Sequence, residues 1–192
     1  MIKRFLYLLC SIFFILVMLA YIKNVNTSLT ENDYIVFRAE NYPTLKKGMT
    51  LKEELDLIRV IQFKVLNDIK GNDPIPNGSP REPYQLYESR SGLCFDRSRL
   101  LDKAYQFAGF ESRHVYILFK LNTPFYKAFF TKMHSSHAVT EVLTSRGWVY
   151  VDSNIPWIAL TKAGNPVDSN HLWLTRGELL NSPYTDQDNY DL

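Results

Sequence analysis

Cysteine is scarce in this chain: there are two, Cys10 and Cys94. One lies inside a hydrophobic run, so Cys94 stands alone in the rest of the chain and a disulfide framework is excluded. A dominant charge is missing as well. Lysine and arginine number 22 against 20 acidic residues, a net charge of +2, and no strong field argues for nucleic acid or an acidic polymer as partner. There is no internal repeat, no glycine-rich loop to cradle a phosphate, and no His/Cys cluster at zinc spacing. His114, His134 and His171 are scattered. Neither a metal nor any other cofactor is expected.

What is present begins with the solvent of the N-terminus. Phe5 to Ile22 is an uncharged, strongly apolar run, just long enough to span a bilayer, which takes about twenty residues. Lys3 and Arg4 precede it, and only Lys23 follows closely. That asymmetry puts residues 1–4 in the cytoplasm and the remainder outside, periplasmic or extracellular. A cleaved signal peptide is the competing expectation. Met18 at the −3 position of Ala20, followed by Tyr21, Ile22 and Lys23, makes a poor cleavage site, which favours an uncleaved anchor.

A lone thiol in an oxidising compartment is a liability unless it has work to do or is buried. Cys94 sits in Ser91-Gly-Leu-Cys-Phe-Asp96, a small-residue turn that runs into a helix. Leu93, Leu100, Leu101, Ala104, Phe107 and Ala108 recur at helical spacing, which predicts a helix over 94–108 closed by Gly109. Cys94 then lies in the first turn, where unpaired N–H groups and the helix dipole favour thiolate.

His137-Ala-Val-Thr-Glu-Val-Leu143 and Trp148-Val-Tyr-Val-Asp152 are β-prone runs around the turn sequence Thr144-Ser-Arg-Gly147. Pairing Leu143 with Trp148 sets Asp152 opposite Val139, on the face that Val139 shares with His137. The carboxylate then sits diagonal to the imidazole; a slip of one residue would separate them. Cys94, His137 and Asp152 come in the order that a thiol nucleophile, its base and the orienter of that base need. His134 is the rival base, without a β-run to hold it.

On these stretches the chain resembles the transglutaminase-like superfamily, in its bacterial, papain-like branch. The matching segments are Arg90-Ser-Gly-Leu-Cys-Phe-Asp96, Ala108-Gly-Phe-Glu-Ser-Arg-His-Val115, His137-Ala-Val-Thr-Glu141 and Gly147-Trp-Val-Tyr-Val-Asp-Ser153. The resemblance covers roughly residues 50–180. It implies Cys94 as nucleophile, His137 as base and Asp152 as orienter. Val139 stands where the family often has Trp. The segment Lys120 to Ser136, with Phe125, Tyr126, Phe129 and Phe130, either lines or covers the cleft or packs as a hydrophobic flap. The backbone N–H of Cys94 is a natural oxyanion donor, with Gln85 or Tyr84 as side-chain candidates; Gln85 also reads as a solvated helix position.

The expected organisation is residues 1–4 cytoplasmic, 5–22 transmembrane, 23–49 a tether with one strand-like piece at Tyr34 to Phe37, 50–180 the domain, and 181–192 a tail. Within the domain, Thr50-Leu-Lys-Glu53 is a capping box. It opens a helix striped by Leu51, Leu55, Ile58, Ile61, Val65, Leu66 and Ile69 and ended by Gly71. Asn72 to Pro83 reads as a surface loop, Tyr84 to Ser89 as a short helix, Glu111 to Phe119 as a strand and Thr175 to Leu180 as a last helix. The fold class is α+β, a helical half carrying Cys94 packed on an antiparallel sheet carrying His137 and Asp152. The function expected is thioester-mediated acyl transfer on a protein or peptidic substrate, by a cysteine peptidase, amidase or transglutaminase. The alternatives are a catalytically silent scaffold module of an envelope assembly and a structural domain with a buried Cys94.

Overall fold

The computed structural model describes residues 7, 9–17, 26–76, 79–118, 136–172 and 174–182. Residues 9–17 are helical and exposed, and among the described residues no helix is long and apolar enough to cross a membrane. Apart from Tyr7, which is helical and exposed as well, the rest of the run 5–22 lies outside the described residues. So do the segment 119–135, with Phe125, Tyr126, Phe129, Phe130 and His134, and the tail beyond 182.

The stretch 23–49 is not a plain tether. Residues Glu31–Ala39 form helix α1, and its Tyr34 to Phe37 piece is helical rather than extended. Thr30 and Asp33 make the reason local, because each bonds the backbone N–H of the other and closes a capping box. Tertiary docking then overrides the β preference of Tyr-Ile-Val-Phe. Phe37 is fully buried, and Asp33 meets Lys103 at 2.7 Å.

Helix α2, Leu51–Asp68, starts at the Thr50/Glu53 box as its sequence dictates. It ends before Gly71, with Ile69 as its C-cap. Its buried stripe of Leu55, Ile58, Ile61 and Val65 packs on Leu100, Leu101, Ala104 and Tyr105 of the Cys94 helix. Helix α3, Pro83–Ser89, has proline at its first position, where no N–H is missed. Helix α4 is Cys94–Ala108, closed by Gly109 at φ +98.

Three antiparallel strands follow: β1, Ser112–Leu118; β2, Ser136–Thr144; and β3, Gly147–Val151, in the order β1-β2-β3. Leu143 pairs with Trp148 and Thr140 with Val151, the register read from the alternation. Pairing runs on to Thr144 and Gly147, so Ser145 and Arg146 make the turn and Gly147 takes the left-handed position at φ +116. Val142, Val149 and Val151 join the helices in the main core. Val139 and Tyr150, on the other face, meet Trp157, Val167, Leu172 and Leu179 from the C-terminal segment. That segment carries a single helical turn, Ser169–Leu172, and a 3-10 turn, Arg176–Glu178, in place of a regular last helix. The result is a helical half on an antiparallel sheet, the mixed architecture expected.

Candidate active site

The nucleophile turn is fixed before the helix begins. Asp96 turns back so that its Oδ2 accepts the N–H of Leu93 at 3.0 Å, while Arg81 donates to Oδ1 at 2.7 Å. Gly92 lies beneath this carboxylate, and a Cβ there would come within 2.9 Å of the Asp96 Cβ. The turn is also stitched to the loop after α2: Gly71 and Gly92 each donate toward the other's segment, at 3.0 and 3.1 Å. Cys94 emerges from this at the first position of α4, half-buried.

His137 opens β2 and Asp152 follows β3. Nε2 of His137 meets Oδ2 of Asp152 at 3.1 Å. That leaves Nδ1 for Cys94, whose thiolate is favoured by the His137 side chain and by the N–H groups of Ala138 and Phe95. The carboxylate of Asp152 is held on all sides. Tyr150 Oη donates to Oδ2 at 3.2 Å, and the N–H groups of Asn154 and Ile155 donate to Oδ1 at 2.7 and 3.1 Å. Gln62, buried on α2, donates to the carbonyls of Asp152, Ile155 and Trp157 at 2.8, 3.1 and 2.8 Å. The loop that carries the carboxylate is thereby clamped to the helical half.

The electrostatics follow from these contacts. The hydrogen bond from His137 holds the Cys94 thiol below its ordinary range, against burial, which pushes it up. Burial pushes His137 down, but its bonds to Asp152 and Cys94 outweigh that and raise it to about 9. Both shifts favour a thiolate beside an imidazolium.

One helical turn on, Arg97 is buried and spends every donor it has. Nε bonds the Ser153 carbonyl at 2.8 Å; Nη1 bonds the Gly71 and Gly92 carbonyls at 3.2 and 2.7 Å; Nη2 bonds Asn72 Oδ1 at 2.9 Å and Asn154 Oδ1 at 2.6 Å. Every acceptor is neutral. Burial works against its charge, and negative charge at Cys94, Asp96 and Asp152 favours it.

Cys94 opens into a cavity of about 450 Å³. Leu66, Ile69 and Leu93 form its apolar wall, and Lys70, Asn72, Arg97 and Asn154 its polar side. Gln85 and Tyr84 are not among the lining residues. Oε1 of Gln85 accepts the N–H of Glu82 at 3.0 Å and closes the first turn of α3, while Tyr84 is exposed. The structure thus brings Cys94, His137 and Asp152 together and leaves Gln85 and Tyr84 in a capping and a surface place. Among the described residues there is no group of three or more His, Cys, Asp or Glu side chains that could hold a metal.

His114 is not a solvated histidine. Nδ1 bonds Ser98 Oγ at 2.8 Å, Ser98 Oγ bonds Thr140 Oγ1 at 3.1 Å, and Thr140 donates its proton to the Ser98 carbonyl. Ser98 must then donate to Thr140, so Nδ1 carries the proton of a neutral ring and Nε2 is a bare, buried acceptor. Burial pushes His114 down to about 4.

Arg97, Gln62, Asn72 and Asn154 are the residues sequence reading missed. Arg97 carried a usable signal, three places after Cys94 and so on the same helix face. Asn154, two residues past Asp152, fits an Asx turn.

Among the curated proteins no match is found. One similar solved structure is the periplasmic domain of TgpA from Pseudomonas aeruginosa, 19% identical, with a TM-score of 0.35. The match covers 68% of this chain and 49% of that one, so the chain spans about half the length of the solved relative. The family model of the transglutaminase-like superfamily core matches residues 43–153, more than half of the chain and the whole stretch from α2 through Asp152. The chain belongs to the transglutaminase-like superfamily.

Proposed function

We propose that the protein is a membrane-anchored thiol acyl-transfer enzyme acting on an amide of a protein or peptidic substrate. The observation that carries this reading is the convergence of Cys94, His137 and Asp152, with Cys94 itself lining the cavity. A structural cysteine needs neither the imidazole nor the opening.

In the proposed reaction the Cys94 thiolate attacks the amide carbonyl and a C–S bond forms. The oxyanion takes the backbone N–H of Cys94, which has no intrahelical acceptor at the first position of a helix. Imidazolium His137 gives its Nδ1 proton to the leaving nitrogen, the C–N bond breaks, and an amine departs from the thioester. Water or a second amine, deprotonated by His137, then attacks the thioester and releases the thiolate. Water makes the enzyme a peptidase or amidase; an amine makes it a transglutaminase. Asp152 keeps Nε2–H pointed away from the sulfur throughout and stabilises the imidazolium. The apolar run 5–22 with Lys3 and Arg4 before it supports a single span with the domain outside the cytoplasm.

The test is the pH dependence of Cys94 alkylation in a Cys10→Ser background. Fast labelling at pH 6 that His137→Ala abolishes is expected. Labelling that rises only near an ordinary thiol pKa of about 8.5 points instead to a silent scaffold. No labelling until the protein unfolds means a buried structural thiol.

A further inference from the structure

We infer that Asn72 and Asn154 form a pair of amide donors that bind carbonyl oxygens of a peptide substrate in the cleft at Cys94, with Arg97 as the residue that aims them. The inference rests on the enzymatic reading above and adds a substrate-binding element to it.

The orientation of both side chains is forced by chemistry. A guanidinium can only donate, so the atom each asparagine turns toward Arg97 must be its carbonyl oxygen. Both oxygens are bound by the same nitrogen, Nη2, at 2.9 and 2.6 Å. Arg97 cannot rotate to release them, because its other three donors end on the carbonyls of Gly71, Gly92 and Ser153. Each asparagine must then point its NH₂ group away from Arg97. Both residues are exposed and line the cavity that Cys94 opens into. Among the described residues neither NH₂ group has a protein acceptor.

The backbones under them are equally fixed. The N–H of Asn154 bonds Asp152 Oδ1 at 2.7 Å, so this donor rides on the carboxylate that orients His137. Asn72 lies between Gly71, bridged to Ser91, and Asp73, whose N–H bonds Ser91 Oγ at 2.9 Å. One donor therefore comes from the nucleophile side of the site and the other from the Asp152 side. Two pre-aimed neutral donors beside a thiolate suit the repeating carbonyls of an extended peptide. Among the described residues no carboxylate lines the cavity to compete for them.

The test uses the full chain in detergent, in the Cys10→Ser background, with two reagents for Cys94. One is a blocked dipeptidyl chloromethyl ketone, which presents peptide carbonyls. The other is methyl methanethiosulfonate, which has none. The quantity read is the ratio of their second-order rate constants, which cancels any change in thiolate reactivity common to both. Asn72→Asp and Asn154→Asp keep the acceptor for Arg97 and remove the donor; Asn72→Ala and Asn154→Ala remove both. Each of the four is expected to lower the ratio about tenfold, the scale of one lost hydrogen bond. A ratio within twofold of the parent in all four variants overturns the inference while leaving the nucleophile in place. Failure of the folded parent to react with methyl methanethiosulfonate overturns the enzymatic reading, and this inference with it.

Discussion

Asp152 lies across the hairpin from His137 on a diagonal, its Oδ2 3.1 Å from Nε2, and further donors fix it there. Tyr150 and two backbone N–H groups leave the carboxylate one orientation. Asp152→Asn would place a neutral amide against Nε2 and remove the charge that favours imidazolium. Cys94 alkylation at pH 6 is expected to fall at least tenfold in this variant, about what loss of roughly 1.4 kcal/mol of differential stabilisation gives. A rate within twofold of the parent would count against Asp152 as the orienter.

The same pair sets a stability profile. His137 has its folded pKa raised to about 9 from an ordinary 6.5, so its contribution is fully present below 6.5 and lost as pH rises through 9. Cys94, with its pKa lowered, contributes in the opposite sense, above the unfolded thiol range and less as pH falls through its folded value. Melting temperatures of the parent and His137→Ala should therefore differ most near pH 6.5 and converge near pH 9.5. A constant gap would mean that His137 matters only for packing.

Gly92 is a third point of leverage. A Cβ at this position would sit 2.9 Å from that of Asp96, whose carboxylate caps α4 and takes Arg81. Gly92→Ala should cost about 1–3 kcal/mol in denaturant unfolding, as overpacking does. It should also slow Cys94 labelling, since the displaced turn carries the thiol.

Most of the frame was legible because it is periodic. The alternation in His137 to Asp152 fixed the hairpin register, as a slip would have turned Val139 and Tyr150 out of their cluster with Trp157. The stripe of α2 and the Gly109 cap were equally local signals. The helix at Glu31–Ala39 was misread because Tyr-Ile-Val-Phe favours a strand in isolation. Its burial against α4 and the Lys103 to Asp33 ion pair reach across the sequence and leave no periodic trace. The hydrogen bonds of Arg97 and Gln62 leave no local trace for the same reason. Their partners Ser153, Asn154 and Asp152 lie far along the chain, and a long polar side chain looks solvated until the backbone that it bonds is in place.

His114 should make the fold acid-sensitive. Its folded pKa of about 4 lies below the ordinary 6.5, so the neutral ring contributes stability above 6.5 that is lost as pH falls toward 4. The loss should be about 1–2 kcal/mol, reduced from the full shift because the ring is partly exposed and screened. His114→Gln should flatten this acid limb in thermal unfolding between pH 7 and 4.5.

Lys103 carries the docking of α1. Its Nζ meets Asp33 at 2.7 Å and Glu82 at 2.8 Å, with Lys103 and Asp33 almost wholly buried. Lys103→Met would strand the Asp33 charge and should cost about 3–5 kcal/mol. Adding Asp33→Asn should recover a large part of that cost. A double variant no more stable than the single one would show that the pairing, as opposed to the burial, is unimportant.

Helix α1 begins five residues after Asn26, whose carbonyl is already held by Arg99 at 2.9 Å. With 5–22 in the bilayer, as proposed, only the few residues between Ile22 and Asn26 connect lipid to folded protein, a reach of at most about 15 Å. The domain is then moored on a short leash. On that proposal the domain could not patrol the surrounding space, and a chain that it modified would have to come to the membrane surface to meet it.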